Sequence, residues 1–347
     1  MCTLRSQEIL RFEHFIPGAD VDQAKVAAIH DLVLQPRRPW FSEAEQAHLR
    51  EALAGRLGEV AGDHFFVAWS GDEPVGNVYY GTAAAAPQIG LLAYVITQPA
   101  HRDQGIGTLL ARKAVEHFVA GGGVCLHLGT ANPVARRTYE RCGFRAYNGH
   151  VMRYLAPGWE WQGFDDAYFA DEGPAQVRPG HWGDLARVGM LYTAPSRWFV
   201  KDYPERLYSH PALLQTRCGS IPASMLLNAT QQDGGLWVLE NPRQRIVGAA
   251  TATRLDGTAQ AHVPLLDFLV VPAYCSQAPA LLAMVIESLG DKGAERLRVY
   301  LASQDMEKAG IVRQVGFRCE ATLVEQFRVG DDHYDLQIYT RCLKDLM

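Results

Sequence analysis

The sequence predicts an α/β fold of the layered (α+β) type, present as two tandem copies, each with a mixed central sheet flanked by helices. Two observations lead to this prediction. Segments with strand-like apolar runs alternate with segments of helical periodicity along the whole chain. In addition, landmarks recur at a constant offset of 173 residues, which relates Pro99 to Pro272 and Gly143 to Gly316. A fixed offset of this kind indicates an internal repeat.

The first copy can be divided into elements from its amino terminus onward. Val26, Ile29 and Val33 have the spacing of one helix face, and Ser42 followed by Glu43 is typical of a capped helix start with an acidic first turn. Apolar alternation then predicts a hairpin, and further runs predict two buried strands, a long helix, a short helix and closing strands. These segments are, in order, 64–69, 74–80, 91–96, 106–120, 124–128, 132–143 and 144–154.

A glycine-rich turn joins the strand at 91–96 to the long helix. It contains the pattern Arg-x-x-Gly-x-Gly, from Arg102 to Gly107. Glycine permits a tight turn and a close approach of a ligand to the main chain. The first amides of a helix lack intrahelical acceptors, so a strand, a glycine turn and a helix start form a phosphate-binding cradle. Leu110 stands where a dinucleotide fingerprint requires glycine, and Gly107-Thr108 lacks the lysine of a P-loop.

A second motif begins at Asn132 and ends at Phe144. Asn132 suits the N-cap, Pro133 the first helical position and Gly143 the left-handed position that ends a helix. Tyr139 lies seven residues after Asn132, so both lie on one helix face. Together the two motifs resemble the acetyl-CoA segments of the GNAT acetyltransferases, Arg-x-x-Gly-x-Gly and Asn-x-x-Ala-x-x-x-Tyr-x-x-x-Gly-Phe, at each named position.

This resemblance implies a site for acetyl-CoA. The main chain of Val95, Ile96 and Thr97 would bind the pantetheine arm, and Tyr139 would be the acid that protonates the departing thiolate. The general base is left open among Tyr80, Tyr94, His101 and His127. The complete set of cofactor-binding residues that the resemblance implies is Val95, Ile96, Thr97, Arg102, Asp103, Gln104, Gly105, Ile106, Gly107, Thr108, Asn132 and Ala135.

The second copy lacks these features. At the same offset, Gly105 and Gly107 become Ala278 and Ala280, and Tyr139 becomes Val312. Alanine does not easily adopt positive φ, and a valine has no proton to donate. We therefore expect domains at 1–156, with intact CoA motifs, and at 176–347, degenerate, joined by an aromatic and acidic segment at 157–175. The layout is similar to that of tandem members of the family such as mycothiol synthase.

Composition limits the remaining classes of function. The 347 residues carry a net charge of −5 without a basic run, which argues against nucleic acid or an anionic membrane as a partner. Seven cysteines without a Cys-x-x-Cys pair, and charged residues near the amino terminus, predict a cytoplasmic protein with reduced thiols. The twelve histidines show no metal-binding spacing, so no metal is expected. The oligomeric state is left open.

The sequence-based hypothesis is an acyl-CoA-dependent N-acyltransferase, with a primary amine of a small molecule or peptide as acceptor and acetyl-CoA as cosubstrate. The first copy would perform the chemistry and the second would help to form the acceptor site. Two alternatives stay open. One is another acyl-CoA enzyme on this fold, using a longer acyl group, an alcohol acceptor or thioester cleavage; the other is a non-catalytic acyl-CoA sensor or scaffold.

Overall fold

In a computed structural model of the chain, the residues described are 10–18, 22–34, 43–194, 196, 198–201, 207–209, 235–254, 259–329 and 331–343. Two seven-stranded mixed sheets organise this part of the protein. The capping role predicted for Ser42 falls outside the described residues. Among the described helices, none combines the length and the hydropathy that a bilayer span requires.

The first sheet has the strand order β1-β2-β3-β4-β5-β7-β6. All neighbouring strands pair antiparallel except β4 and β5, which are parallel. The predicted hairpin, the buried strands and both helices of the CoA motifs are confirmed. The elements are β1 (Leu10–Phe15), α1 (Gln23–Leu34), α2 (Glu43–Leu53), β2 (Ala61–Ser70), β3 (Glu73–Ala83), β4 (Ile89–Thr97), α3 (Ile106–Ala120), β5 (Cys125–Gly129), α4 (Pro133–Glu140), β6 (Arg145–Asn148) and β7 (Val151–Leu155).

The second sheet repeats this topology. Its strand order is β15-β16-β14-β13-β12-β11-β8. Taken from the opposite edge, this order corresponds strand by strand to that of the first sheet, and β13 and β14 form the parallel pair. A two-stranded ladder of β9 and β10 is not hydrogen-bonded into this sheet. The elements are α5 (Phe164–Tyr168), β8 (Gln176–Pro179), α6 (Leu185–Thr193), β9 (Val200–Lys201), β10 (Leu207–Ser209), β11 (Gly235–Glu240), β12 (Ile246–Thr253), β13 (Leu265–Val270), α7 (Ala278–Asp291), β14 (Arg296–Ala302), α8 (Met306–Gln314), β15 (Arg318–Val329) and β16 (Asp332–Cys342).

The repeat offset is preserved in three dimensions. A 3₁₀ turn begins at Pro99 in the first half and at Pro272 in the second, and α4 and α8 begin at Pro133 and Met306. Gly143 and Gly316 both have positive φ, +90° and +86°, just after these helices. Two tandem copies of one fold are therefore present.

Helix α6 joins the two halves. All nine of its residues are buried, and it packs on β3 and β4 of the first sheet and on β12 of the second. Gly183, just before it, lies so close to the first half that a Cβ atom would stand 1.9 Å from the carbonyl oxygen of Val60. A continuous apolar core therefore connects the halves, and Ile89, Leu91 and Cys125 of the first half belong to it.

The aromatic segment at 157–175 also packs against the fold. Phe164 is buried in the shared core, and Trp159 contacts it edge-on. Asp165 pairs with the buried guanidinium of Arg153 at 2.7 Å, and Arg245 of the second half donates to the carbonyl of Tyr168 at 2.6 Å. The segment therefore contacts both halves.

His127 on β5 makes the interface sensitive to acid. Its ring is fully buried, and Nε2 lies 2.8 Å from the carbonyl oxygen of Ala186 on α6, so Nε2–H donates to it. Burial lowers the pKa of His127 from 6.5 to about 4. The unfolded chain therefore binds one more proton between these values, and the stability is intact above pH 6.5 and lost as the pH falls towards 4.

We expect His127→Gln to flatten the dependence of the unfolding free energy on pH. Between pH 7.5 and pH 5 the wild type should lose about 1–2 kcal/mol more than the variant, because glutamine does not titrate. Urea unfolding at the two pH values measures this difference. His150→Gln, a change at a half-buried histidine in a turn, is the matched control. If the wild type and His127→Gln lost the same unfolding free energy, protonation of His127 would not be what destabilises the interface in acid.

Candidate active site

A groove opens where strands β4 and β5 diverge. Their parallel pairing ends at Leu91 and His127, although β4 continues to Thr97. On its other side, this end of β4 remains paired with β3, with Ile96 opposite Asn77. The main chain of Val95 to Thr97 therefore faces an opening of about 1620 Å³.

The start of α3 forms one wall of this groove. Gly105 is the N-cap with φ of +79°, and the first helical hydrogen bond runs from the amide of Leu109 to the Gly105 carbonyl at 3.0 Å. The amides of Ile106, Gly107 and Thr108 precede that bond and have no intrahelical acceptor. The helix dipole adds positive potential at the same place. The arrangement is suited to an anion such as a pyrophosphate.

Helix α4 contributes a second part of the groove lining. The Asn132 side-chain oxygen accepts hydrogen bonds from the amides of Val134 and Ala135, at 2.9 and 3.4 Å, so it caps the helix as predicted. Two turns later, Tyr139 is buried, packs against Phe144 with ring centroids 5.9 Å apart, and lines the groove. The predicted acid thus lines the same groove as the open end of β4.

The structure brings together the residues that the two motifs predicted. All of the predicted cofactor-binding residues line the groove except Gln104, whose side chain donates to the carbonyl of Ala100 at 3.3 Å. The Nε of Arg102 donates to the carbonyl of Thr97 at 3.2 Å, which ties the turn to the end of β4. Two further cations, Arg137 and Arg141, line the groove without belonging to the family pattern.

A bulge in β4 lies at the inner end of the groove. Tyr94 has φ of +50°, the strand register shifts beside it, and Asn77 Nδ2 donates to its carbonyl at 2.9 Å. The Tyr94 hydroxyl donates to the carbonyl of Glu45 at 2.9 Å and contacts Nδ1 of His48 at 2.9 Å. The bulge is therefore fixed by side chains from β3 and α2.

The four residues considered as general base have different environments. Burial raises the pKa of Tyr94 well above 10 and lowers that of His127 to about 4, and the His127 ring faces Ala186 instead of the groove. Tyr80 is not among the groove-lining residues, and its hydroxyl hydrogen-bonds to His117 on α3. His101 lines the groove.

Glu45 lines the groove as well, and sequence reasoning treated it only as part of an acidic first turn of α2. Its helix is supported by the second half of the chain, since the ring of Trp182 lies 5.4 Å from that of His48. The position of this carboxylate at the inner end of the groove could not be predicted from the sequence. The residue pattern that starts a helix is the same whether the first turn faces a groove or the solvent.

The equivalent cleft of the second half is occupied by its own chain. Strand β9 packs beside β13, the counterpart of β4. Before it, the Phe199 amide donates to Asp305 at 2.9 Å, and the buried Lys308 donates to the Phe199 carbonyl at 2.9 Å. Lys308 also pairs with Asp267 at 2.5 Å. Asp267 therefore neutralises a lysine inside the second half.

A layered domain whose sheet opens at one parallel strand pair, with an amide cradle at the start of the following helix, defines the GNAT class of fold. Comparison with known proteins agrees. Residues 25–144, which include both motifs, match the model of the acetyltransferase (GNAT) family. The resemblance is therefore confirmed over this stretch, and acetyl transfer from acetyl-CoA is supported as its general activity.

Comparison with solved structures matches about half of the chain to acetyltransferases. A GNAT-family acetyltransferase from Streptococcus pneumoniae is 14% identical and covers 48% of this chain and 98% of its own, with a TM-score of 0.41. Ribosomal-protein-alanine N-acetyltransferase from Brucella melitensis is 17% identical and covers 48% and 99%, with a TM-score of 0.42. A Salmonella typhimurium protein solved with its cofactor acetyl-CoA is 14% identical and covers 50% and 95%, with a TM-score of 0.41. No curated protein sequence matches the chain.

Proposed function

We propose that the first half of the chain is an N-acyltransferase that moves the acetyl group of acetyl-CoA to a primary amine of a small molecule or peptide. The observation that carries the proposal is one groove that combines the α3 amides, the open end of β4 and Tyr139. The predicted location is the cytoplasm.

Each group of groove residues would have its own chemical role. The amides of Ile106 to Thr108 would hold the pyrophosphate, with Arg102, Arg137 and Arg141 adding positive charge. The main chain of Val95 to Thr97 would bind the pantetheine arm, and an amide beside the bulge would stabilise charge developing on the thioester oxygen. Tyr139 would protonate the thiolate as the carbon–sulfur bond breaks, since an ordinary phenol is protonated at pH 7.

Glu45 gives the acceptor end a charge that suits an amine. It lines the groove near the bulge, and a carboxylate there would attract an ammonium group and accept its proton before attack. The second half contributes to this end through Trp182, which packs on α2. In the described part of the chain, the groove lining lies wholly between residues 45 and 141. The contribution of the second half is therefore support of α2 and β4.

One CoA is expected to bind per chain. The first half has an open cradle, and the second has its corresponding cleft filled by Phe199 and Lys308. Calorimetric titration of the full chain with CoA measures the number of sites. A stoichiometry of two would overturn the assignment of the second half as degenerate.

The activity itself is tested with a panel of amines and acetyl-CoA, read as release of free thiol. We expect release that depends on the amine and that is greater with primary amines than with matched alcohols. Binding of CoA without release, for any amine and for acyl chains of several lengths, would indicate a sensor. Amine-independent release would indicate thioester cleavage.

A further inference from the structure

Three histidines converge at the face of the first sheet that α3 covers. His14 comes from β1, His64 from β2 and His117 from the last turn of α3. Nε2 of His14 lies 3.1 Å from Nδ1 of His64. Each of the three rings offers one nitrogen atom, and these three atoms all lie within 4.8 Å of one another. Strand pairing and helix packing create this cluster, because the three positions are far apart in sequence.

Aromatic side chains hold the three rings in place. His14 stacks on Phe66 with centroids 4.5 Å apart, and His64 stacks on Tyr80 at 4.6 Å. The Tyr80 hydroxyl forms a hydrogen bond with Nδ1 of His117. When Nδ1–H of His117 is the donor of that bond, Nε2 carries the lone pair. Such a partner on the second nitrogen is what orients histidine ligands at metal sites.

We propose that His14, His64 and His117 form a binding site for a divalent transition metal ion of the zinc type, with three imidazole ligands and a fourth position left to water. Ligand nitrogens of a tetrahedral zinc ion lie roughly 3.3 Å apart, as follows from Zn–N bonds of about 2.0–2.1 Å. One pair already has nearly this separation, and the third ring needs a small side-chain movement. Neutral nitrogen ligands favour Zn²⁺, Co²⁺, Ni²⁺ or Cu²⁺ over Mg²⁺ and Ca²⁺.

The local environment keeps the ligands available. Metal ions bind the neutral form of imidazole, and burial lowers the pKa of each of the three rings below 6.5, with the charges of neighbouring histidines adding to the effect at His14 and His64. All three residues are only partly buried, so an ion can reach them from solvent.

The bound metal ion would have a structural role, at a place separate from the acyl-CoA groove. His117 lies roughly 18 Å along α3 from the cradle at Gly105, by the rise of 1.5 Å per residue. The ion would tie β1, which is the edge strand of the first sheet, to β2 and to the end of α3. Neither His14, His64 nor His117 lines the groove, so the proposal stands independently of the proposed acetyl transfer.

The test is a titration of the metal-free full chain with Co²⁺ and Zn²⁺ at pH 7.5. Co²⁺ should give the visible absorption of a tetrahedral site at one ion per chain, without the thiolate charge-transfer band that a cysteine site would give. Zn²⁺ should displace it and raise Tm. X-ray absorption of the Zn²⁺ form should show a shell of nitrogen and oxygen only, with the outer scattering of imidazoles.

Variants locate the ion. His14→Ala and His64→Ala should each weaken Zn²⁺ binding by about 100-fold or more, and Tyr80→Phe by about 10–100-fold, as expected for loss of an orienting partner. His150→Ala is the matched control and should bind as the wild type does. Absence of Co²⁺ absorption, sulfur in the zinc shell, or equal affinity in the wild type and His64→Ala would overturn the proposal. Because the X-ray measurement uses the wild type, it decides the question even where a variant fails to fold.

Discussion

Replacing Tyr139 by phenylalanine is expected to lower kcat by about 10²–10⁴-fold, the usual contribution of a general acid. The Tyr139 ring is buried against Phe144, and phenylalanine preserves that packing. Only the phenolic proton is removed, so the thiolate would have to leave unprotonated. The affinity for CoA should change little. Steady-state kinetics with the best amine of the panel, together with calorimetry of CoA binding, measures both effects.

A tyrosine on the other side of the same aromatic contact supplies the control. Tyr154 on β7 lies 5.9 Å from Phe144 and is not among the groove-lining residues. Tyr154→Phe should therefore leave kcat close to the wild-type value. If Tyr139→Phe also retained the wild-type kcat, Tyr139 would be a packing residue of α4 and the mechanism would need another proton source.

The parts of the site that could be predicted are those encoded by local rules. Asn132, Pro133 and Gly143 specify the start and end of one helix, and the structure places them in those roles. Gly105 was predicted at a turn from strand to helix, and its φ of +79° explains why glycine is needed. Each of these predictions depends on residues within a few positions of one another.

The parts that could not be predicted depend on tertiary packing. His14 and His64 meet because β1 and β2 pair antiparallel, which places His14 opposite Phe66, and His117 joins them through α3. No spacing rule connects residues about fifty positions apart. For this reason the histidine spacing led to the prediction of no metal site, and the histidine cluster emerged only from the structure.

The burial of α6 is a second example. All nine of its residues are buried, because the helix lies between the two sheets. Its Arg187 is compensated by Asp184 and Glu240, both at 2.6 Å. A buried arginine requires such partners, because an unpaired charge in the interior is costly. Since Glu240 is fifty-three positions away, this compensation was not visible in the local pattern.

Replacing Gly107 by glutamate is expected to weaken CoA binding by about 10²–10³-fold. Gly107 lies in the first turn of α3 and lines the groove, so a carboxylate there would stand beside the bound pyrophosphate. Two like charges 4 Å apart repel by about 4 kcal/mol at an effective dielectric constant of 20, which sets the upper end of this range. The fold should tolerate the change, since an acidic residue in the first turn is favourable for the helix dipole.

Two comparison variants separate charge from shape in the same calorimetric titration. A Cβ at Gly107 would meet Thr97 Oγ1 at 3.5 Å, an ordinary contact, so Gly107→Ala should lose far less affinity than Gly107→Glu. Gly310 lies in α8 of the second half, where a Cβ meets no atom within 4 Å, and Gly310→Glu should bind CoA as the wild type does. Unchanged affinity in Gly107→Glu would place the pyrophosphate elsewhere, and a loss in Gly310→Glu equal to that in Gly107→Glu would show that net charge, not the cradle, governs binding.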